Sequence, residues 1–150
     1  MGQIVQLNHQ AKLSEHFLLG EFVRSNHPEI YNVPSHEAIG NLRRLCEWLE
    51  VLRAEQSQPI IINSGYRSPQ LNKKVGGAAT SNHLTGCACD IRVSGMEQAI
   101  VYAAILIGYA NESHQDFDEL LLEKNRYGAL WLHFAVRPKD NRRKVAFINA

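Results

Sequence analysis

The 150-residue chain has 45% hydrophobic and 21% charged residues, ordinary values for a globular protein that buries a core without staples. A formal charge of +1 argues against nucleic acid as the main partner, and no apolar run approaches the roughly 18 residues of a membrane span. We expect one domain spanning 1–150, acting as a monomer.

Met1 to Gln6 has no basic n-region and no long apolar stretch, so no secretory signal is expected. Met1-Gly2 is a poor myristoylation match, because Gln6 stands where Ser or Thr is needed. The cysteines are Cys46, Cys87 and Cys89, an odd count that fits free thiols in a reducing compartment. Residues 13–25 read as a short extended lead and a turn or two of helix, anchored by Phe17, Leu18 and Phe22. Asn26 to Pro34 reads as a loop. Ser35 is a good N-cap for a helix over 36–55, whose apolar stripe is Ile39, Leu42, Leu45, Cys46, Leu49 and Leu52.

Ile60-Ile61-Ile62 reads as a short buried strand, leaving through the turn Asn63-Ser64-Gly65-Tyr66-Arg67. Ser68-Pro69 opens a short helix through Val75, stopped by Gly76-Gly77. A loop carrying Ser81 and His83 leads to a strand at about 88–93. Ser94 and Glu97 fit a capping box for a helix to about Ile107, with Ala99, Ile100, Ala103, Leu106 and Ile107 inward. Phe117–Glu123 and Leu130–Arg137 read as paired strands, and Lys144–Ile148 as an edge strand. Helices lead and the pairable strands cluster late, so the fold expected is α+β: a small antiparallel sheet flanked by helices.

The chemistry gathers around Ser81-Asn82-His83-Leu84-Thr85-Gly86-Cys87-Ala88-Cys89-Asp90 and around Trp131-Leu132-His133. Two His and one Asp give three ligands and leave a fourth position open, as in catalytic zinc sites; the same set suits non-haem iron. Taken singly, His133 is an ordinary sheet histidine and Asp90 a solvent-facing acid. Strand parity argues otherwise for the set. Leu130, Leu132, Phe134 and Val136 share one face, which turns His133 toward a cleft, and Asp90 lies opposite Cys89 and Ile91. Both cysteines then read as core residues, and C-x-C is not the usual zinc spacing. Glu123 sits opposite Leu120 and Leu122, so a hairpin brings it toward His133 as a candidate general base. Among the rival acids, Glu119 shares that face but is expected a full strand length from the site.

These residues resemble the M15 zinc peptidases, the D-Ala-D-Ala carboxypeptidase and phage endolysin group, whose fold is shared with the hedgehog signalling domain. The matching pieces are Ser64-Gly65-Tyr66-Arg67-Ser68, the pattern at Ser81, His83, Gly86, Ala88 and Asp90, and Trp131 with His133. Leu13-Ser14-Glu15-His16-Phe17 and Phe117-Asp118-Glu119-Leu120 also match, so the resemblance covers about residues 13–137. It implies one zinc per chain held by His83, Asp90 and His133, with Arg67 and Ser81 on the substrate and peptidoglycan stem peptides as that substrate. Many members carry an acid three residues before the last His; here that position is Leu130, and Glu123 resembles the Glu of hedgehog-type members. Two functions follow. One is a D,D-carboxypeptidase or endopeptidase, made in the cytoplasm and acting at the cell wall after release, as a phage lysin or prophage product would. The other is a non-catalytic zinc-stabilised binding module. The basic tail of Arg137, Lys139, Arg142, Arg143 and Lys144 reads as a solvated run or as a lure for anionic wall polymers.

Overall fold

The computed structural model describes residues 7–149; the N-terminal readings on Met1 to Gln6 fall outside the described residues. The elements in order are α1 (Leu19–Val23), α2 (His36–Gln56), β1 (Ile62–Ser64), α3 (Pro69–Lys74), a 3-10 turn (Asn82–Thr85), β2 (Ala88–Arg92), α4 (Met96–Ser113), β3 (Glu119–Lys124), β4 (Leu130–Ala135) and β5 (Lys144–Asn149). The chain is α+β, with a five-stranded sheet in the order β1-β2-β4-β3-β5.

The first four strands in that order pair antiparallel, as expected, but β5 joins β3 in parallel and makes the sheet mixed. The cause lies in the connection after β4. It leaves beside the start of β3, where Arg143 N–H donates to the Phe117 carbonyl and Lys144 N–H to that of Asp118. The chain thus crosses to the free edge of β3 at its beginning and can only run alongside it.

Ser35 caps α2 as its sequence suggests, its hydroxyl accepting from Ala38 N–H at 3.1 Å. The stripe Leu42, Leu45, Cys46, Leu49 and Leu52 is fully buried. Each leucine contributes about 1.5–3 kcal/mol of apolar transfer by leaving water. Against this helix and α4 lies one face of the sheet, Cys89, Ile91, Leu120, Leu132 and Phe134, with Trp48 packed edge-on to Phe117 and tilted on Phe134. The other sheet face, carrying Asp90, His133, Leu121 and Glu123, is left for the cleft.

Four local expectations shift. Leu19 rather than Leu18 joins Phe17 and Phe22 in the core. The Ile60 strand starts later, at Ile62, because Ile61 is exposed and only its carbonyl is engaged, by Arg92 N–H. The Ser94 capping box does not form. Gly95 is the N-cap of α4, and Ser94 N–H donates to the Gln98 side chain at 2.8 Å. The helix also runs on to Ser113 and buries Ala99, Tyr102, Leu106 and Ala110, leaving Ile100 57% exposed. Its sequence is apolar nearly all round, so periodicity alone does not single out the buried stripe.

Candidate active site and metal centre

Two glycines bring the site segments together. A Cβ on Gly65 would lie 2.6 Å from the Phe22 carbonyl oxygen, so only glycine lets the turn after β1 pack on α1. Tyr66 N–H donates to that same carbonyl. The Gly65 carbonyl is thereby aimed at His83, whose Nδ1 lies 2.6 Å away. Gly86 ends the 3-10 turn at φ +75°, where an added Cβ would meet the Ala38 carbonyl oxygen at 2.5 Å. His83 is the second residue of that turn, held by its own N–H on the Ser81 hydroxyl.

A carbonyl can only accept, so His83 Nδ1 carries the proton and Nε2 presents its lone pair. That Nε2 lies 3.4 Å from Asp90 Oδ1. Asp90 pairs with His133 across β2 and β4, and His133 Nδ1 is 3.1 Å from the same oxygen. On its far side, His133 Nε2 lies 3.0 Å from Glu119 Oε1. An ionised carboxylate also only accepts, so Nε2–H donates and Nδ1 faces the Asp90 side. One atom each from His83, Asp90 and His133 fall within 4.8 Å of one another.

Metal fit can be tested on these numbers. A tetrahedral zinc with bonds of about 2.0–2.1 Å needs ligand atoms about 3.3 Å apart, and two of the three edges here are 3.4 and 3.1 Å. The charges agree. With a proton rather than a metal between Nδ1 and Asp90, burial lowers the His133 imidazole, but hydrogen bonds to Asp90 and Glu119 outweigh it and bring it up to about 10. A metal takes the place of that proton, and the same carboxylates that stabilise the one cation stabilise the other. Asp90 is depressed well below the usual carboxylate range; burial opposes this, and its two histidine neighbours, His83 and His133, prevail. The residues fit a divalent metal with zinc-like geometry.

Around the triad runs a cleft of about 560 Å³ lined by Arg67, Ser81, Glu119, Glu123 and Trp131, among others. Glu123 Oε1 is 3.9 Å from His133 Nδ1, the nitrogen on the Asp90 side. Burial pushes the Glu123 carboxyl up, which suits a base that must take and release a proton near neutral pH. Arg67 N–H donates to the His83 carbonyl, fixing its backbone to the 3-10 turn that carries His83. Its Nη2 donates to the Ser81 hydroxyl at 3.4 Å, and its Nε is buried without a partner. Ser81, expected on the substrate, is thus occupied with positioning Arg67 and His83 while still lining the cleft.

One expectation about geometry fails. Glu119 is not a strand length away: β3 pairs Leu121 with His133, so Glu119 and Glu123 are the two diagonal neighbours of that histidine. Glu119 takes the outer nitrogen and Glu123 the inner one. Asn82, between Ser81 and His83, has a role that no motif marks in the sequence. Its amide donates to Glu119 at 2.7 Å and to Asp118 at 2.8 Å, and its oxygen accepts from Arg137. Asp118 is fully buried and receives two side-chain hydrogen bonds from Arg142, at 2.9 and 2.8 Å. The basic tail is a solvated run only in part: Lys139 and Lys144 are exposed and make no ion pair among the described residues, while Arg142 grips Asp118, Arg143 grips Asp116, and Arg137 serves Asn82. Cys46, Cys87 and Cys89 are free and buried, and burial raises all three thiols. They are poor thiolates, outside the candidate ligand group.

A protein-family model described as Peptidase M15 matches residues 15–117, more than half of the chain. The chain belongs to the M15 peptidase family. No curated protein matches it. The matched span of this M15 peptidase holds Arg67, Ser81, His83 and Asp90 but ends before Glu119, Glu123 and His133. His133, as the third candidate ligand, and both flanking carboxylates therefore rest on the geometry above.

Proposed function

We propose that this M15 peptidase is a zinc-dependent hydrolase of peptidoglycan stem peptides, a D,D-carboxypeptidase or endopeptidase of the kind a phage or prophage uses at the cell wall. The observation that carries the reading is the coincidence of three groups in one cleft. They are the His83–Asp90–His133 triad, Glu123 on its metal-side nitrogen, and an arginine with unused donors.

Zinc held there by His83, Asp90 and His133 would supply the Lewis acidity that makes water a nucleophile near neutral pH. Glu123 Oε1 takes the proton of the attacking water as the new C–O bond forms at the scissile carbonyl. It then delivers that proton to the amine nitrogen as the C–N bond breaks. Arg67 offers its planar fork to the carbonyl oxygen, where negative charge develops, or to a neighbouring carboxylate. Glu119 keeps the His133 ring in the tautomer that presents Nδ1.

The test is mass spectrometry of defined muropeptides incubated with the protein as purified, after chelation, and after zinc is returned. Loss of a terminal D-Ala or cleavage of a cross-link, abolished by chelator and restored by zinc, is expected. Tight zinc binding and peptide binding without any cleavage would replace this reading with that of a non-catalytic module.

A further inference from the structure

The groove does not end at the metal triad. A second basin of about 540 Å³ lies on the β1 side and shares Arg67, Val75 and Asp90 with the cleft. Its wall is the loop after α1 and its floor the ends of β1 and β2. Arg92 stands two residues beyond Asp90 on β2, hence on the same sheet face and about 7 Å along the strand. Arg24, at the end of α1, lines the opposite wall.

The charges there are one-sided. Asp90 is the one carboxylate among the lining residues, and it already serves the triad. On the far side of the cleft Arg137, Arg142 and Arg143 each pair with an aspartate. Arg24 and Arg92 make no ion pair among the described residues. Arg67, between the two basins, keeps a buried Nε without a partner. Three arginines that line one groove, with one committed acid between them, match an anionic ligand.

We infer that this basin is a substrate subsite for a peptide residue that carries a free carboxylate and flanks the scissile bond, bound by Arg24 and Arg92. The inference rests on the peptidase reading, because the basin opens directly onto the triad. Stem peptides offer such groups: the α-carboxylate of a γ-linked glutamate, the side-chain carboxylate of a diaminopimelate, and the C-terminal carboxylate. The subsite discriminates free acids from their amides, which carry no charge.

The experiment uses synthetic stem peptides in which each of the three carboxylates is replaced in turn by a carboxamide. Binding is measured by calorimetry to the zinc-loaded Glu123→Gln protein, which holds substrate without turnover, and hydrolysis is followed with the parent. One of the three amides should bind more weakly than its acid. That preference should shrink in Arg24→Gln and Arg92→Gln, up to about fivefold for each exposed guanidinium, and fade with added salt. Circular dichroism of both variants checks the fold, and Arg43→Gln, exposed on α2, is the control for nonspecific charge. An acid preference untouched by Arg24→Gln and Arg92→Gln, or equal binding of all acids and amides, overturns the subsite. Acid-selective binding lost in both variants, with no hydrolysis by the parent, sustains the subsite and removes the peptidase reading.

Discussion

Glu119 and Glu123 flank the same imidazole, and exchanging each for glutamine separates their roles. Glu119→Gln keeps the shape and can still accept from His133 Nε2 and Asn82, both of which meet Oε1 in the parent at 3.0 and 2.7 Å. What it loses is the charge, and hydrogen bonds to an ionised partner are about twice as strong as neutral ones. Removing an outer partner of a ligating histidine costs roughly 10–100-fold in metal affinity, or about 1.4–2.7 kcal/mol. With metal in excess, turnover should stay within severalfold of the parent. Glu123→Gln acts in the opposite sense. It touches no outer nitrogen, so metal affinity should hold, while loss of a general base lowers kcat by about 10²–10⁴. The assay pairs competition against a chromophoric zinc chelator with muropeptide kinetics at buffered zinc. Asp116→Asn is the control, since Asp116 is exposed and engaged with Arg143. If Glu119→Gln is dead but zinc-loaded while Glu123→Gln turns over like the parent, the assignment drawn from the two ring nitrogens is wrong.

Three further outcomes are expected. Arg67→Lys keeps a charge but loses the fork, so kcat/KM should fall at least tenfold with zinc content unchanged; a parental value would make Arg67 a bystander. Asp118 has a folded pKa of about 2 against an ordinary 3.8, where burial opposes and the hydrogen bonds from Arg142 and Asn82 prevail. A depressed carboxylate stabilises above its unfolded pKa and loses that effect as pH falls through the folded value. Asp118 therefore contributes about 2 kcal/mol near pH 7, lost between about pH 4 and 2. The melting curves of Asp118→Asn and parent should converge over that window, and parallel curves would count against the pairing. Gly65→Ala places a Cβ 2.6 Å from the Phe22 carbonyl oxygen. It should cost about 1–3 kcal/mol and weaken zinc binding by shifting the carbonyl that fixes His83; an unchanged melt and metal titration would contradict this.

Much of the fold was legible because its signals are local. Ser35, Ser68-Pro69 and the leucine stripe of α2 act through neighbours within a few residues, and the structure places each where the chain implies. Strand parity, equally local, turned Asp90 and His133 onto one face. What escaped depends on register or on distant partners. Ile100 is exposed because contacts along the whole of α4 choose its buried side, and Arg142 is clamped by an aspartate 24 residues earlier. Asn82 carries no motif of its own. Its role comes from lying between Glu119, Asp118 and Arg137, which the chain brings together only after the sheet closes.

Register also explains why Leu130 can stand where related chains carry an acid. An offset of three residues is odd, so within a continuous strand positions 130 and 133 point to opposite faces. Here β4 is already paired at Leu130, whose partner is Lys124, and Leu130 shares its face with the buried Leu132 and Phe134. A carboxylate at 130 would be directed away from the cleft. The same early pairing carries β3 past the triad as far as Lys124, so that Glu123 lies diagonal to His133 on the cleft side. A hairpin opened before Leu132 would free position 130 to turn back to the metal, and would also withdraw Glu123. The long hairpin thus turns position 130 away from the cleft and brings Glu123 to it, and a carboxylate moved from 123 to 130 should not restore the proposed hydrolysis while the ladder from Lys124 to Glu119 stays intact.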